Sequence, residues 1–317
     1  MTSPGVIYKN MIIVGSRVSE GNPAAKGNIR AFDANTGDLK WSFNTIPEIG
    51  EDGHETYSDP DAYKRLGGAN AWSGLTLDEE RGILYAPTGS VSYDFYGGDR
   101  VGDNLFANSI IALSAETGNK IWHFQTVHHD VWDRDLPAPP ILFDYSMNDS
   151  IIPSLAQVTK SGYIYLLNRI TGKPLYKIIE RPVPSKSNLE GEVLSKTQPI
   201  PTFPDPFSIQ SLTKNDINSF VIERERDSLI KIFTSLLKDD IFSPPSEEGT
   251  LIFPGFDGGA EWGGPALDPI NNKLFINSNE MPWILTMKKV SNTDSQGMNI
   301  YNKQCLMCHG IDYKGSG

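Results

Sequence analysis

Cysteine is almost absent: the 317 residues hold two, both inside QCLMCHG at 304–310. With no second pair of Cys or His nearby, a closed zinc site is excluded. Positive charge is also scarce, 28 Lys and Arg against 39 Asp and Glu for a formal net charge of -11. That balance excludes a nucleic-acid partner, which needs clustered cations to meet phosphates. No apolar run approaches the ~18 residues of a membrane span, so no such span is expected. The opening MTSPGVIYKNMIIVGSR lacks the charged, apolar and small-residue regions of a signal peptide. Residues 5–15 read instead as a strand from the middle of a fold, so the chain is expected to begin inside a domain. What is abundant is punctuation: 29 Gly and 22 Pro, with 38% apolar and 10% aromatic residues, describe a turn-rich globular chain built on strands.

A repeated phrase organises those strands. AFDANTGDLKW (31–41), ALSAETGNKIW (112–122) and a degenerate LLNRITGKPLY (166–176) each join two strands through a glycine turn and end on an aromatic. Weaker copies are LTLDEERGILY (75–85) and ALDPINNKLFI (266–276). Successive turns at Asp33, Asp78, Ser114 and Asn168 are 45, 36 and 54 residues apart, and a longer gap precedes Asp268. Periods of roughly 40–50 with strand-turn-strand content predict propeller blades, with a solenoid as the rival. About five blade-like units fit within 1–297, and further blades are expected before Met1, because an open ring would leave sheet edges unpaired.

The long gap predicts an insertion over 181–250. Its proline-rich first half reads as an extended surface excursion. Its second half has helical periodicity, with Ile217, Phe220, Val221, Ile230, Ile232, Leu236 and Leu237 for an apolar stripe and Thr213 or Asn215 as cap.

Cys305 and Cys308 have the spacing of a local disulfide, a thioredoxin-like site, half a zinc site or a c-type haem attachment. The missing second ligand pair and the missing βαβ context argue against zinc and thioredoxin chemistry. The adjoining His309 favours haem c, with two thioether bonds and an axial imidazole. A second axial Met or His does not follow within the chain, so 298–317 reads as the start of a cytochrome c domain.

FQTVHHDVWDRDLPAPP at 124–140 packs five His and Asp into eight residues of a loop. Together with GGANAWSG (67–74), TKSGYIYLLNRITGKPL (159–175), TQPIPTFPDPF (197–207) and LIFPGFDGGAEWGGPALDP (251–269), it resembles the pyrroloquinoline quinone (PQQ)-dependent dehydrogenases. The resemblance is to the branch of membrane-bound quinoprotein glucose dehydrogenase, and it runs through nearly all of 1–297. It implies an all-β, eight-bladed quinoprotein propeller with PQQ on its axis and a divalent cation, Ca2+ or Mg2+.

By that resemblance Trp72 matches the aromatic floor under the quinone and Glu20 a carboxylate ligand of the metal. Ser90 or Ser92 stands where the family has an amide ligand. Asp133 matches the catalytic base, close to the metal, which takes the hydroxyl proton as hydride leaves for the quinone. Lys160 matches the lysine that reaches the quinone oxygens, and Glu261 and Trp262 touch the cofactor from the other side. His128 and His129 are assigned to shaping the pocket, and Asp94 and Arg100 to a loop that could rim its mouth. The expected activity is oxidation of a sugar or alcohol hydroxyl in the periplasm, with electrons passing to haem c and a respiratory acceptor. The rivals are a non-enzymatic propeller scaffold and a pure electron carrier.

Overall fold

The computed structural model describes residues 3–147 and 149–289, together with 297, 300, 301, 305 and 306. Strands β1 (Val6–Tyr8), β2 (Met11–Val14), β3 (Ile29–Asp33) and β4 (Leu39–Phe43) pair in chain order as one four-stranded antiparallel sheet. A second such sheet follows from β5 (Thr76–Asp78), β6 (Ile83–Pro87), β7 (Ser109–Ser114) and β8 (Lys120–Gln125). A third has three strands, β9 (Ile141–Met147), β10 (Ser150–Val158) and β11 (Ile164–Asn168). Three two-stranded units complete the described chain: β12 (Ile178–Pro182) with β13 (Thr197–Pro201), β14 (Thr250–Ile252) with β17 (Trp283–Leu285), and β15 (Pro265–Asp268) with β16 (Lys273–Ile276).

The repeated phrase makes one local structure. Asp33 Oδ1 accepts from the amides of Asn35 and Thr36 at 2.9 and 3.1 Å, and Asn168 Oδ1 from those of Ile170 and Thr171 at 2.9 and 3.0 Å. Each is an Asx turn that lets the chain reverse while its amides stay bonded. The terminal tryptophan of one repeat then docks on the next. Trp41 Nε1 donates to Ala115 O at 3.2 Å, and Trp122 Nε1 donates to Arg169 O at 3.1 Å. A methyl group at Gly118 would lie 2.6 Å from the Trp41 ring, and one at Gly172 would lie 2.7 Å from Trp122. Glycine is therefore needed at both positions for close approach as well as for a positive φ.

The sheets meet face to face. Ile111 and Leu113 of β7 pack toward the first sheet with Ile13, Ile29 and Trp41, whereas Ile110 and Ala112 pack toward the third with Leu155 and Leu167. Alternation along one strand thus serves two cores, which is why SIIALS reads as a continuous apolar run. Face-to-face stacking of successive meanders is the blade arrangement; a solenoid would pair repeats edge to edge.

The region 181–250 corrects two expectations. Its proline-rich half is partly core: β13 returns along β12, and Leu194 and Ile200 are buried with Trp132 and Phe242. Its second half holds a 3-10 turn at Lys214–Asp216, capped by Thr213 and not Asn215, and helix α1 (Glu223–Ser235). No residue of α1 is buried, and Phe220 is 94% exposed. Leu236, one residue past the helix, is the stripe position that reaches a core, against Leu251 and Phe253. Among the described residues, no helix is long and apolar enough to cross a membrane.

Candidate active site

A cavity of about 300 Å3 collects side chains from loops that leave or enter successive sheets. Glu20 comes from the segment after β2, Trp72 from the approach to β5, and Ser90, Ser92 and Asp94 from the segment after β6. Asp133 and Asp135 follow β8, Lys160 follows β10, and Glu261 follows β14. Six separate stretches of sequence therefore converge on one space.

The loop carrying Asp133 is built around Asp130. Its Oδ1 accepts from Trp132 N at 2.9 Å, and its Oδ2 accepts from Ser90 Oγ, Asn108 Nδ2 and Arg134 N at 2.5, 2.8 and 2.6 Å. Four donors on one buried carboxylate fix the turn. Val131, Trp132 and Arg134 are fully buried on its inner side, where Trp132 Nε1 donates to Ser243 O at 2.8 Å and Arg134 Nη1 to Pro254 O at 2.6 Å. Asp133 and Asp135 are left facing the cavity. Asp133 sits at φ 57°, a left-handed conformation that aspartate tolerates better than most residues.

Lys160 Nζ donates to both oxygens of Asp133, at 3.0 and 2.9 Å, and stands 3.8 Å from Glu261 Oε1. It also lies 5.8 Å from the centroid of the Trp72 ring. The indole is pinned: its Nε1 donates to Asp135 Oδ2 at 2.7 Å, and Asp135 Oδ1 accepts from Ser90 N at 2.7 Å. Burial pulls the Lys160 ammonium toward deprotonation, but the charges of Asp133, Asp135 and Glu261 outweigh it and hold the pKa above the usual lysine value. Burial pushes the Asp133 carboxyl well up, with Lys160 opposing, so once ionised it is a stronger base than an ordinary aspartate. Burial likewise raises Glu261 against the pull of Lys160, and raises Asp94, where the nearby Asp133 and Asp135 charges add to the effect.

Of the residues singled out in the sequence, Trp72, Asp133, Lys160, Glu261, Glu20, Ser90 and Ser92 all line this cavity. The serine hydroxyls have other partners as well: Ser90 Oγ donates into Asp130, and Ser92 Oγ to Ser19 O at 3.0 Å. Glu20 lies 3.9 Å from Arg17, with its side chain 58% exposed.

Trp262 is not brought to the cavity. It is 74% exposed, because the chain turns through Gly263 and Gly264 directly after Glu261 and leaves the indole outside. His128 faces a different cleft, between Gln125 Oε1 at 2.8 Å and Glu180 Oε1 at 3.3 Å, and His129 is buried beneath the Gly97 loop on Glu192 at 2.7 Å. Neither histidine lines the cavity, so the pocket-shaping assignment is replaced by one of bracing. Arg100 is 1% exposed and does not rim anything; it bonds Asn104 Oδ1, Tyr93 O and Asp130 O. Cys308 and His309 lie outside the described residues, and Cys305 is half-buried.

Comparison with known proteins fits this geometry. Residues 1–309 match the family described as "PQQ: Glucose/ethanol/alcohol dehydrogenase, beta-propeller domain". The chain belongs to the PQQ-dependent dehydrogenase family. It is similar to the quinate/shikimate dehydrogenase (quinone) of Acinetobacter baylyi, at 36% identity over 91% of this chain and 36% of that protein. It is similar too to quinoprotein glucose dehydrogenase A of Acinetobacter calcoaceticus, at 34% identity over 89% of this chain and 36% of that one. The crystal structure of quinohemoprotein alcohol dehydrogenase from Comamonas testosteroni superposes with a TM-score of 0.61 at 23% identity, covering 89% of this chain and 37% of that chain. The chain thus spans about a third of the length of these PQQ-dependent relatives, and its stacked meanders are blades of their propeller.

Asp135 has no role assigned from the sequence, yet it lines the cavity and holds the Trp72 indole. The signal was the density of acids itself: Asp135 belongs to the same His and Asp cluster as Asp133. Asp130, another acid of that cluster, holds the loop together.

Proposed function

We propose that the full-length protein oxidises a sugar or alcohol hydroxyl with PQQ as cofactor. The observation that carries this reading is the Asp133–Lys160 pair beside the pinned Trp72 indole, in a single cavity of a family member.

The donor set fits the cofactor. Glu20, Asp94, Asp133, Asp135, Asp257 and Glu261 make the cavity acidic, against Lys160 and Arg17. A planar tricarboxylate enters such a space only with a cation between the charges. Among the described residues, no three His, Cys, Asp or Glu side chains converge as a metal shell by themselves, so protein and cofactor oxygens together have to complete one. Glu20, Ser90, Ser92 and Asp133 are the oxygens this chain offers to Ca2+ or Mg2+. When bound, PQQ supplies the two-electron acceptor.

Trp72 would offer its indole face to a bound quinone. Lys160 places a fixed positive charge where negative charge develops on reduction. Asp133 takes the substrate's hydroxyl proton: each of its oxygens keeps a lone pair beyond the one bonded to Lys160. Glu261 neutralises the second side of Lys160.

C-x-x-C-H at 305–309 supports haem c as the next electron carrier, with Cys305 and Cys308 in thioether bonds, His309 as axial ligand and a respiratory acceptor beyond. A periplasmic location belongs to the same reading, supported by the haem-attachment motif and the family's cofactor.

The test is reconstitution of the full-length protein with PQQ and Ca2+, following quenching of tryptophan fluorescence and dye reduction by glucose, glycerol and ethanol. Saturable quenching together with turnover is expected. Absence of quinone binding leaves the non-enzymatic scaffold.

A further inference from the structure

Each carboxylate of the cavity but one has a partner. Asp133 holds Lys160, and Asp135 holds the Trp72 indole and Ser90 N. Asp257 accepts from Trp283 Nε1 at 3.0 Å, Glu261 from Trp262 N at 2.9 Å, and Glu20 stands near Arg17. Asp94 is 7% exposed and lines the cavity, yet no hydrogen bond or ion pair reaches its carboxylate among the described residues. Burying a carboxyl group without a hydrogen-bond partner is unfavourable unless a ligand supplies one.

The segment that carries Asp94 is held on both sides. Ser92 N donates to Gly67 O at 3.0 Å, and Arg100 Nη2 to Tyr93 O at 3.1 Å. Phe95 stacks on Phe256, another lining residue, with centroids 4.8 Å apart. Gly97 N is held by Glu192 Oε2 at 2.6 Å. The loop is therefore anchored with Asp94 in the wall of the cavity that contains Asp133.

We propose that Asp94 accepts a hydrogen bond from a second hydroxyl of a polyhydroxylated substrate, close to the hydroxyl whose proton passes to Asp133. A neutral O–H donor suits an acceptor that joins no ready-made three-carboxylate metal shell. A site built to bond a hydroxyl discriminates strongly against an analogue that lacks it, because the buried group is then left unpaired. Asp94 thus selects vicinal polyols over monohydric alcohols, a selection that rests on the dehydrogenase reading above.

The experiment uses the full-length protein loaded with PQQ and Ca2+, as wild type, Asp94→Asn and Asp94→Leu, assayed on glycerol and on 1-propanol. Separately, Ca2+ is titrated into each PQQ-loaded, metal-free form by tryptophan fluorescence, and melting temperatures check folding. The wild type is expected to prefer glycerol. Asp94→Leu should lose about 10- to 100-fold in kcat/KM on glycerol, mainly through KM, with 1-propanol changed less than about twofold. Asp94→Asn keeps one acceptor oxygen and the shape, and should fall between. Equal losses on both alcohols, no loss on either, or a weakened Ca2+ affinity would overturn the assignment, the last by making Asp94 a metal ligand. A wild type that binds no PQQ overturns the dehydrogenase reading, and this assignment falls with it.

Discussion

The joints between sheets and the cavity at their inner ends are made of similar residues and obey opposite rules. At a joint the indoles are answered: Trp41 and Trp122 bury their rings on Gly118 and Gly172, and each indole N–H finds a carbonyl. In the cavity, acids crowd one ammonium, Asp133 takes a left-handed backbone, and Asp94 has no donor among the described residues. The joints supply the packing that holds this poorly compensated cluster in place. The difference teaches that stability and chemistry are assigned to different parts of each blade-to-blade connection, so substitutions should separate them.

The largest effect should come from Asp133→Asn. Asparagine tolerates the same left-handed conformation and keeps the shape, but it cannot accept the proton. Turnover of the reconstituted full-length protein should fall about 10²- to 10⁴-fold, while the protein stays folded. A variant that retains dye reduction would reassign the base, and one that unfolds would erase the contrast between joint and cavity.

Next in size is Trp122→Ala. It empties a buried site between the second and third sheets and removes one of the two donors to Arg169 O, the Tyr85 hydroxyl remaining. The expected cost is about 3–5 kcal/mol in chemical denaturation, whereas PQQ affinity, measured below the unfolding transition, should change little. A large loss of quinone affinity in a still-folded variant would mean that the joints shape the site directly.

How much of this was legible in the sequence follows the same division. The joints are written in local code: an Asx or Ser residue, a glycine at positive φ and an aromatic at fixed spacing, so hairpins and blade order could be read without coordinates. The residues that resemble known quinoproteins led to Trp72, Asp133 and Lys160, which the fold brings together. What could not be read depends on contacts between distant segments. Leu194 and Ile200 lie in a proline-rich stretch that looks like surface, and they become core because Trp132 and Phe242 arrive from 60 residues before and 40 after. The proximity of His128 and His129 to Asp133 in sequence said nothing of direction, and the turn at 129–134 sends them elsewhere. That Asp94 lacks a partner is a property of the whole neighbourhood, and no pattern of residue types encodes it.

The smallest expected effect sharpens the comparison from the outside of the cavity, at the buried His129–Glu192 pair, whose side chains are each 1% exposed. Burial pushes the Glu192 carboxyl up, but the bonds from His129 and Gly97 N and the charges of His129 and Arg100 outweigh it and hold the pKa below the ordinary 4.5. Tyr96 is the remaining titratable group that interacts with Glu192. A carboxyl depressed in the folded state stabilises fully above its unfolded value and loses that contribution as pH falls through its folded one. The wild type should therefore lose stability below about pH 4.5 more steeply than Glu192→Gln. The glutamine keeps an acceptor for Gly97 N and should cost only about 1 kcal/mol at neutral pH. Denaturant melts of both proteins from pH 6 to pH 3 measure the two slopes. Parallel slopes would show that Glu192 is already neutral in the folded protein, in which case the loop that carries Asp94 is held by packing and not by charge.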